Sequence, residues 1–284
     1  EHTTAERNIA QVFQFPVIYG TMTVQDNLAF PLVCRGYDKA FIKAKVAEVS
    51  EALNLEDLLT QSANKLTADQ KQLISLGRGL VRDNVAAVLM DEPLTVIDPD
   101  LKFRLRRKLK EINQKYRSTL IYVTHDQNEA MTFAENIIVM DQGNIVQAGT
   151  PSELFDRPKT TFVGYFIGAP AMNLFACSAV NNTTISFGGA EIVTDTNLEA
   201  VASKNLKLGI RSEYIKLATA SAENTVSAKV QRVEDLGNHK LVTADFQGQS
   251  IKVKVKREQE LPAENVFLTI PAQHCCVYEN EHLI

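Results

Sequence analysis

The residues best suited to chemistry end a short apolar stretch. Ala86-Ala87-Val88-Leu89-Met90 runs without a polar side chain into Asp91-Glu92-Pro93. A wholly apolar run of this length reads as a buried parallel strand. Such a strand delivers two adjacent carboxylates to its C-terminal end, where open α/β sheets place ligands. In nucleotide hydrolysis an Asp so placed holds Mg²⁺, and a following Glu polarises the attacking water. The same two residues could instead cap and charge the start of the next helix. On the dipeptide alone the two readings stand level.

The surroundings break the tie. A second apolar strand, Thr119 to Val123, ends beside His125 in Val123-Thr124-His125-Asp126. Upstream, Val12-Phe13-Gln14 sets a glutamine at a strand end, and Leu66-Thr67-Ala68-Asp69-Gln70-Lys71-Gln72 opens a segment that continues to Leu80. A lone His after a strand is more often structural than catalytic, and a lone Gln signals nothing. Four weak signals in a fixed order make one strong signal.

The elements that must hold these residues alternate. Ile9 to Phe13 reads as a strand. Lys39 to Leu53 has helical spacing, with Ile42, Val46, Val49 and Leu53 on one face. Leu73, Leu76, Leu80 and Val81 mark another helix, and Leu101 to Tyr116 a charged amphipathic one. Gln127 to Phe133 is helical, and Asn136 to Met140 reads as a third strand before the Asp141-Gln142-Gly143-Asn144 turn. Strands alternating with helices imply an α/β layer on a parallel sheet. After about Phe166 the texture changes to short β-branched segments: Lys207 to Ile210, Val226 to Val230, His239 to Phe246, Ser250 to Val255 and Val266 to Ile270. These read as a small all-β barrel or sandwich. The junction lies within Pro158 to Pro170.

Composition excludes several classes. The 284 residues carry a net charge of -4, which argues against nucleic-acid binding by broad electrostatics. No apolar run approaches the length of a membrane span, and the polar, charged stretch Glu-His-Thr-Thr-Ala-Glu-Arg does not read as a signal peptide. Cys34, Cys177, Cys275 and Cys276 match no metal-site spacing and read as free thiols.

The fixed order of Gln14, the Thr67 segment, Asp91-Glu92 and His125 resembles that of the ABC ATPases. It is most similar to the sugar and polyol importer branch, typified by maltose-type transporters, and the resemblance extends over essentially the whole chain. It implies a P-loop NTPase (ABC ATPase) domain of α/β class over residues 1–165, truncated, with a helical insert at about 27–82. An all-β, OB-like regulatory domain of TOBE type would follow over 166–284. Gln14 is then the Q-loop glutamine, near the metal. Thr67, Ala68, Asp69 and Gln70 stand in the signature segment, which contacts ATP on a partner. Asp91 holds Mg²⁺, Glu92 is the catalytic base, Asp98 of Thr95-Val96-Ile97-Asp98 belongs to the D-loop, and His125 touches the γ-phosphate. Leu154-Phe155-Asp156-Arg157-Pro158 and the Phe166 to Asn173 passage look like the entry to the regulatory domain. Leu208-Gly209-Ile210-Arg211 and Glu234-Asp235-Leu236-Gly237 look like that domain's own motifs.

The resemblance further implies an ATP-hydrolysing importer subunit for a sugar, polyol or similar small solute, with ATP and Mg²⁺ as cofactors. Its partners would be a second ABC ATPase subunit, identical or not, and transmembrane permease subunits docked near the Q-loop and the helical insert, with no nucleic acid. It would sit peripherally on the cytoplasmic face of the plasma membrane. The Leu-Thr-Ala-Asp variant and the D-loop look like those of glycerol-type importers that use two different ATPases. A regulatory subunit with a degenerate ATP site and a soluble, non-transport ABC ATPase are the alternatives.

Two departures from the pattern carry expectations. No GxxxxGK[ST] phosphate loop occurs in the 284 residues. The strand, loop and helix that carry it are expected ahead of Glu1, and residues 1–284 alone are expected to be inactive. The second departure is Leu66-Thr67-Ala68-Asp69-Gln70 in place of Leu-Ser-Gly-Gly-Gln. Thr67 and Gln70 have the spacing of a capping box, and Asp69 suits a helix N-terminus, by about 0.3–1 kcal/mol. A γ-phosphate facing the same helix end would be repelled by about 4 kcal/mol per pair of unit charges ~4 Å apart at an effective dielectric of 20. For ATP binding the repulsion wins, and a weakened ATP site is expected.

Overall fold

The structure is a computed structural model that describes residues 2–82, 85–116, 119–199, 201, 205–262 and 264–284. The chain forms two compact units, 1–129 and 130–284. In the first, α1 (Thr4–Arg7) leads into β1 (Ile9–Val12). Helices α2 (Val24–Val33), α3 (Lys39–Leu53) and α4 (Ala68–Leu80) come next, before β2 (Ala87–Asp91). Then follow α5 (Pro99–Tyr116), β3 (Thr119–Val123) and α6 (Gln127–Phe133), the last running across the division.

The three strands pair in parallel in the order β1-β2-β3. Side chains alternate across a strand, so Ala10, Val12, Val88 and Met90 share one buried face. Ile9, Ile121 and Val123 fall on the other and stay 39, 50 and 54 % exposed, so β3 is less buried than its apolar sequence predicts. Helices α2, α3 and α4 pack on one another between β1 and β2. Gly77 permits their close approach, since a Cβ there would lie 2.5 Å from Leu28 Cδ2 and 3.1 Å from Leu53 Cδ1. The capping box that the spacing predicts is present at α4, where Thr67 Oγ1 accepts from the Gln70 N–H and Gln70 Oε1 from the Thr67 N–H.

In the second unit, β4 (Ile137–Asp141) and β5 (Asn144–Gly149) pair antiparallel, followed by α7 (Pro151–Asp156) and α8 (Thr161–Phe166). The Asn136 to Met140 segment is a strand, as its sequence predicts, and it pairs with β5 in a hairpin rather than joining the parallel sheet. Gln142 and Gly143 both have positive φ, +47° and +80°, and this two-residue turn reverses the chain at once.

Two antiparallel sheets complete the unit. One joins β6 (Asn173–Ala179), β7 (Thr184–Phe187), β8 (Ala190–Val193), β9 (Leu206–Ile210), β15 (Cys276–Glu279) and β16 (His282–Leu283). The other joins β10 (Lys216–Ala218), β11 (Thr225–Asp235), β12 (His239–Phe246), β13 (Gln249–Lys256) and β14 (Asn265–Thr269). Their inner faces share a core that includes Phe175, Phe187, Val242, Val253 and Leu268. The buried Arg211, after β9, donates to the carbonyls of Phe155, Gly164 and Ile167 and lies over the Phe155 ring. Those carbonyls end α7 and α8, where a cation is favoured. By these bonds both helices join the β-rich unit, and compactness divides the chain at Glu129, ahead of the 165/166 junction suggested by texture.

Candidate nucleotide-hydrolysis site

Three parallel strands bring four of the sequence-predicted residues to one edge of their sheet. Gln14 follows β1, Asp91 ends β2 with Glu92 next, and His125 follows β3. Asp91 stands opposite Val123 in the β2–β3 register, and the Glu92 N–H donates to the Val123 carbonyl at 2.9 Å. Glu92 adopts φ +43°, a left-handed conformation that costs a non-glycine residue about 1–3 kcal/mol. Strain of this kind persists where surrounding bonds over-determine the residue.

Here the bonds are several. Gln14 Nε2 donates to Glu92 Oε2 at 3.1 Å, and His125 Nδ1 lies 2.7 Å from Glu92 Oε1. The Thr95 hydroxyl adds a bond to Oε2 at 3.2 Å. Hydrogen bonding to His125 is the largest cause that lowers the Glu92 pKa, and the same bond raises that of His125. The carboxylate is therefore ionised, and Nδ1 carries the shared proton. Asp91 is exposed, and its carboxylate has no hydrogen bond or ion pair among the described residues. Two hard oxygen donors, the Asp91 carboxylate and the Gln14 amide oxygen, are thus available at the strand ends, a set suited to Mg²⁺ with phosphate and water as its other ligands.

The remaining sequence-predicted residues stand apart from these four. Asp98 caps α5, its Oδ1 accepting from the Asp100 and Leu101 N–H groups at 3.0 and 3.4 Å. Thr67, Ala68, Asp69 and Gln70 form the first turn of α4, and the Asp69 carboxylate accepts from the Thr67 hydroxyl. The structure thus joins Gln14, Glu92 and His125 directly and leaves the segment from Thr67 to Gln70 with Asp98 on helix starts.

Two residues of the site escape sequence reasoning. Gln72, fully buried in α4, donates from Nε2 to the carbonyls of Phe13 at 3.0 Å and Pro93 at 2.9 Å. Glu129 is buried in α6 and accepts from Tyr122 at 2.9 Å and Thr124 at 3.1 Å, with Arg106 at 3.4 Å and Lys102 at 3.9 Å. It ties the His125 segment to α5. The signal for Gln72 is a polar residue one turn before Leu76 on the apolar side of the helix. Glu129 offers a comparable signal, lying one turn after His125.

Beside the segment from Phe13 to Val17 runs a groove of about 380 Å³, lined among others by Phe13, Val17, Phe30, Cys34, Arg35 and Arg78. Of the apolar residues that line it, Phe13 and Val17 are 43 and 52 % exposed.

A parallel sheet with an acid pair, an amide and an imidazole at its strand ends carries the groups that nucleotide hydrolysis requires. Residues 208–277 match the TOBE domain family. A protein of Vibrio cholerae, named "sn-glycerol-3-phosphate import ATP-binding protein UgpC", is 38 % identical over 94 % of this chain and 71 % of its own length. A protein of the same name from Vibrio vulnificus is 40 % identical over 86 % of this chain and 65 % of its own. The chain spans about two thirds of the length of these relatives. A solved structure, "cbiO1" from Clostridium perfringens, part of the ABC transporter complex cbiONQ, aligns with a TM-score of 0.49 and 24 % identity, over 53 % of this chain and 60 % of that one. The chain belongs to the family of ABC importer ATP-binding subunits. Among the described residues no helix is long and apolar enough to cross a membrane.

Proposed function

We propose that the full-length protein hydrolyses ATP as one of two paired ATPase subunits of an importer, with Glu92 as the general base. The observation that carries this is the position of Glu92, held at the end of β2 by Gln14 and His125. Asp91 and the Gln14 amide oxygen would hold Mg²⁺, which supplies charge neutralisation at the phosphates. His125 would donate to the γ-phosphate once its bond to Glu92 opens, which frees the carboxylate to take a proton from water. The segment from Thr67 to Gln70 serves ATP bound mainly by the partner subunit, and Asp98 faces the same partner. The groove beside Phe13 and Val17, with its exposed apolar rim, receives a permease segment, so the protein sits peripherally on the cytoplasmic face of the membrane.

The test is ATP turnover of the full-length complex carrying Glu92→Gln. Loss of about 10²–10⁴-fold with ATP binding retained supports a general base. Retained turnover sinks the reading. For the solute, relatives named for sn-glycerol-3-phosphate import make that polyol phosphate the first to measure, against glycerol and maltose in reconstituted uptake. A second reading, a heterodimer with one degenerate site, draws support from Asp69, which puts a carboxylate at the start of α4.

A further inference from the structure

Gln72 joins the two backbone segments that carry Gln14 and Glu92. Its Nε2 donates to the carbonyl of Phe13, the residue before Gln14, and to that of Pro93, the residue after Glu92. The side chains of Gln14 and Glu92 then bond to each other at 3.1 Å. The result is a closed ring of contacts: Gln72, the Phe13–Gln14 backbone, the Gln14–Glu92 bond, the Glu92–Pro93 backbone and Gln72 again.

The orientation of the amide is fixed chemically. Two carbonyls can only accept, so both N–H groups of Nε2 must point at them. A flipped amide would set its oxygen against two other oxygens. Oε1 therefore points away, and it is buried with no partner among the described residues. A buried acceptor left unpaired is unfavourable, and native proteins seldom keep one without a compensating role. Pure packing at this position would be served better by an apolar residue. A residue that must donate twice, across two loops, accounts for the amide.

The same helix reaches the groove. One turn further on, the Ser75 hydroxyl accepts from the Val17 N–H at 3.3 Å. Arg78 donates to the Val17 carbonyl and lies 4.7 Å over the Tyr19 ring. One face of α4 thus bonds to the groove wall at Val17 and to the carrier segments of the Gln14–Glu92 pair.

We infer that Gln72 is a positioning residue for the hydrolysis step: it sets the separation of Gln14 and Glu92 and relays displacement of α4 to them. This rests on the reading of Glu92 as the general base.

The experiment uses the full-length protein in its transporter complex and the substitution Gln72→Met, which keeps length and volume and removes both donors. A misplaced base costs rate rather than affinity, so kcat is expected to fall about 10- to 100-fold with KM for ATP within about twofold. In a Gln14→Ala background, where the ring is already open, the same substitution is expected to cost less than about threefold, because coupled residues are not additive. Unchanged kcat, or an equal loss in both backgrounds, overturns the proposal. If Gln72→Met does not fold, Gln72→Leu, apolar and also without donors, is measured against the same two outcomes. A wild-type complex with no ATP turnover refutes the hydrolase reading itself, and the role of Gln72 falls with it. Turnover in wild type with no effect of Gln72→Met refutes Gln72 alone.

Discussion

Nδ1 of His125 lies 2.7 Å from Oε1 of Glu92, with the imidazole 72 % exposed and the carboxylate side chain 22 % exposed. The pair favours the charged form of both partners. His125 is raised from 6.5, first by its hydrogen bond to Glu92, so its contribution to stability is complete below 6.5 and lost as pH rises through the raised value. Glu92 is lowered from 4.5, first by the bond to His125, so its contribution is complete above 4.5 and lost as pH falls through the depressed value. The bond is therefore fully formed between those two ordinary values and weakens outside the shifted ones. In the nucleotide-free protein, an NMR titration of His125 should give a midpoint above 6.5. Glu92→Gln should bring it back toward 6.5. A midpoint indifferent to that substitution would show that the pair does not form in solution.

Asp69 separates helix stability from ATP chemistry. Its carboxylate lies in the first turn of α4 and accepts from the Thr67 hydroxyl. Replacing it with Gly removes a favourable charge at a helix N-terminus, about 0.3–1 kcal/mol, and lowers helix propensity by a few tenths more. A melting temperature lower by about 2–4 °C per kcal/mol is expected. Turnover of the full-length complex should move the other way and rise, because the repelling carboxylate is gone. Turnover unchanged or reduced in folded protein counts against a weakened ATP site.

How much of this was legible follows from where each signal lies. The positions of Asp91, Glu92 and His125 at strand ends could be read because apolar strands run into them, and a strand end leaves little choice about where a side chain goes. The capping box at Thr67 and Gln70 is a local device, and local spacing suffices to find it. Gln72 could not be assigned a role, because its partners lie 59 and 21 residues away, and an amide on a helix usually faces water. The strand at Asn136 to Met140 and the turn after it are local signals and could be read, whereas its antiparallel pairing with β5, apart from the parallel sheet, is a matter of partner choice that spacing does not give. Texture likewise placed the junction after Tyr165, since nothing local marks the reach of Arg211 back to Phe155 and Gly164.

Glu129 should be the costliest single loss near the His125 segment. It is buried and accepts from Tyr122 and Thr124, with Arg106 and Lys102 close by. Burial is the first cause that raises the Tyr122 pKa, so its phenol keeps the proton it donates. Removing one partner of a buried ion pair leaves charge uncompensated, and Glu129→Ala should destabilise by about 3–5 kcal/mol. Tyr122→Phe loses one bond to a charged acceptor and should cost about 1.5–3 kcal/mol. Denaturant unfolding of the two variants should preserve this order. A smaller loss for Glu129→Ala than for Tyr122→Phe would mean that the cations do not depend on the carboxylate.

The four thiols offer a test of both burial and docking. No disulfide joins them among the described residues. Burial pushes Cys177 up to about 11 and Cys275 up to about 12, and it raises Cys276 as well. At pH 8 a thiol of pKa near 11 is about one part in a thousand thiolate, the form that reacts. Cys34 is exposed and lines the groove beside Phe30 and Arg35. Brief alkylation of the separate full-length subunit, read by mass spectrometry, should label Cys34 first and leave the other three largely unmodified. In the assembled transporter a permease segment in the groove should protect Cys34 as well. Equal labelling of Cys34 with and without the permease would place the membrane contact elsewhere on the subunit.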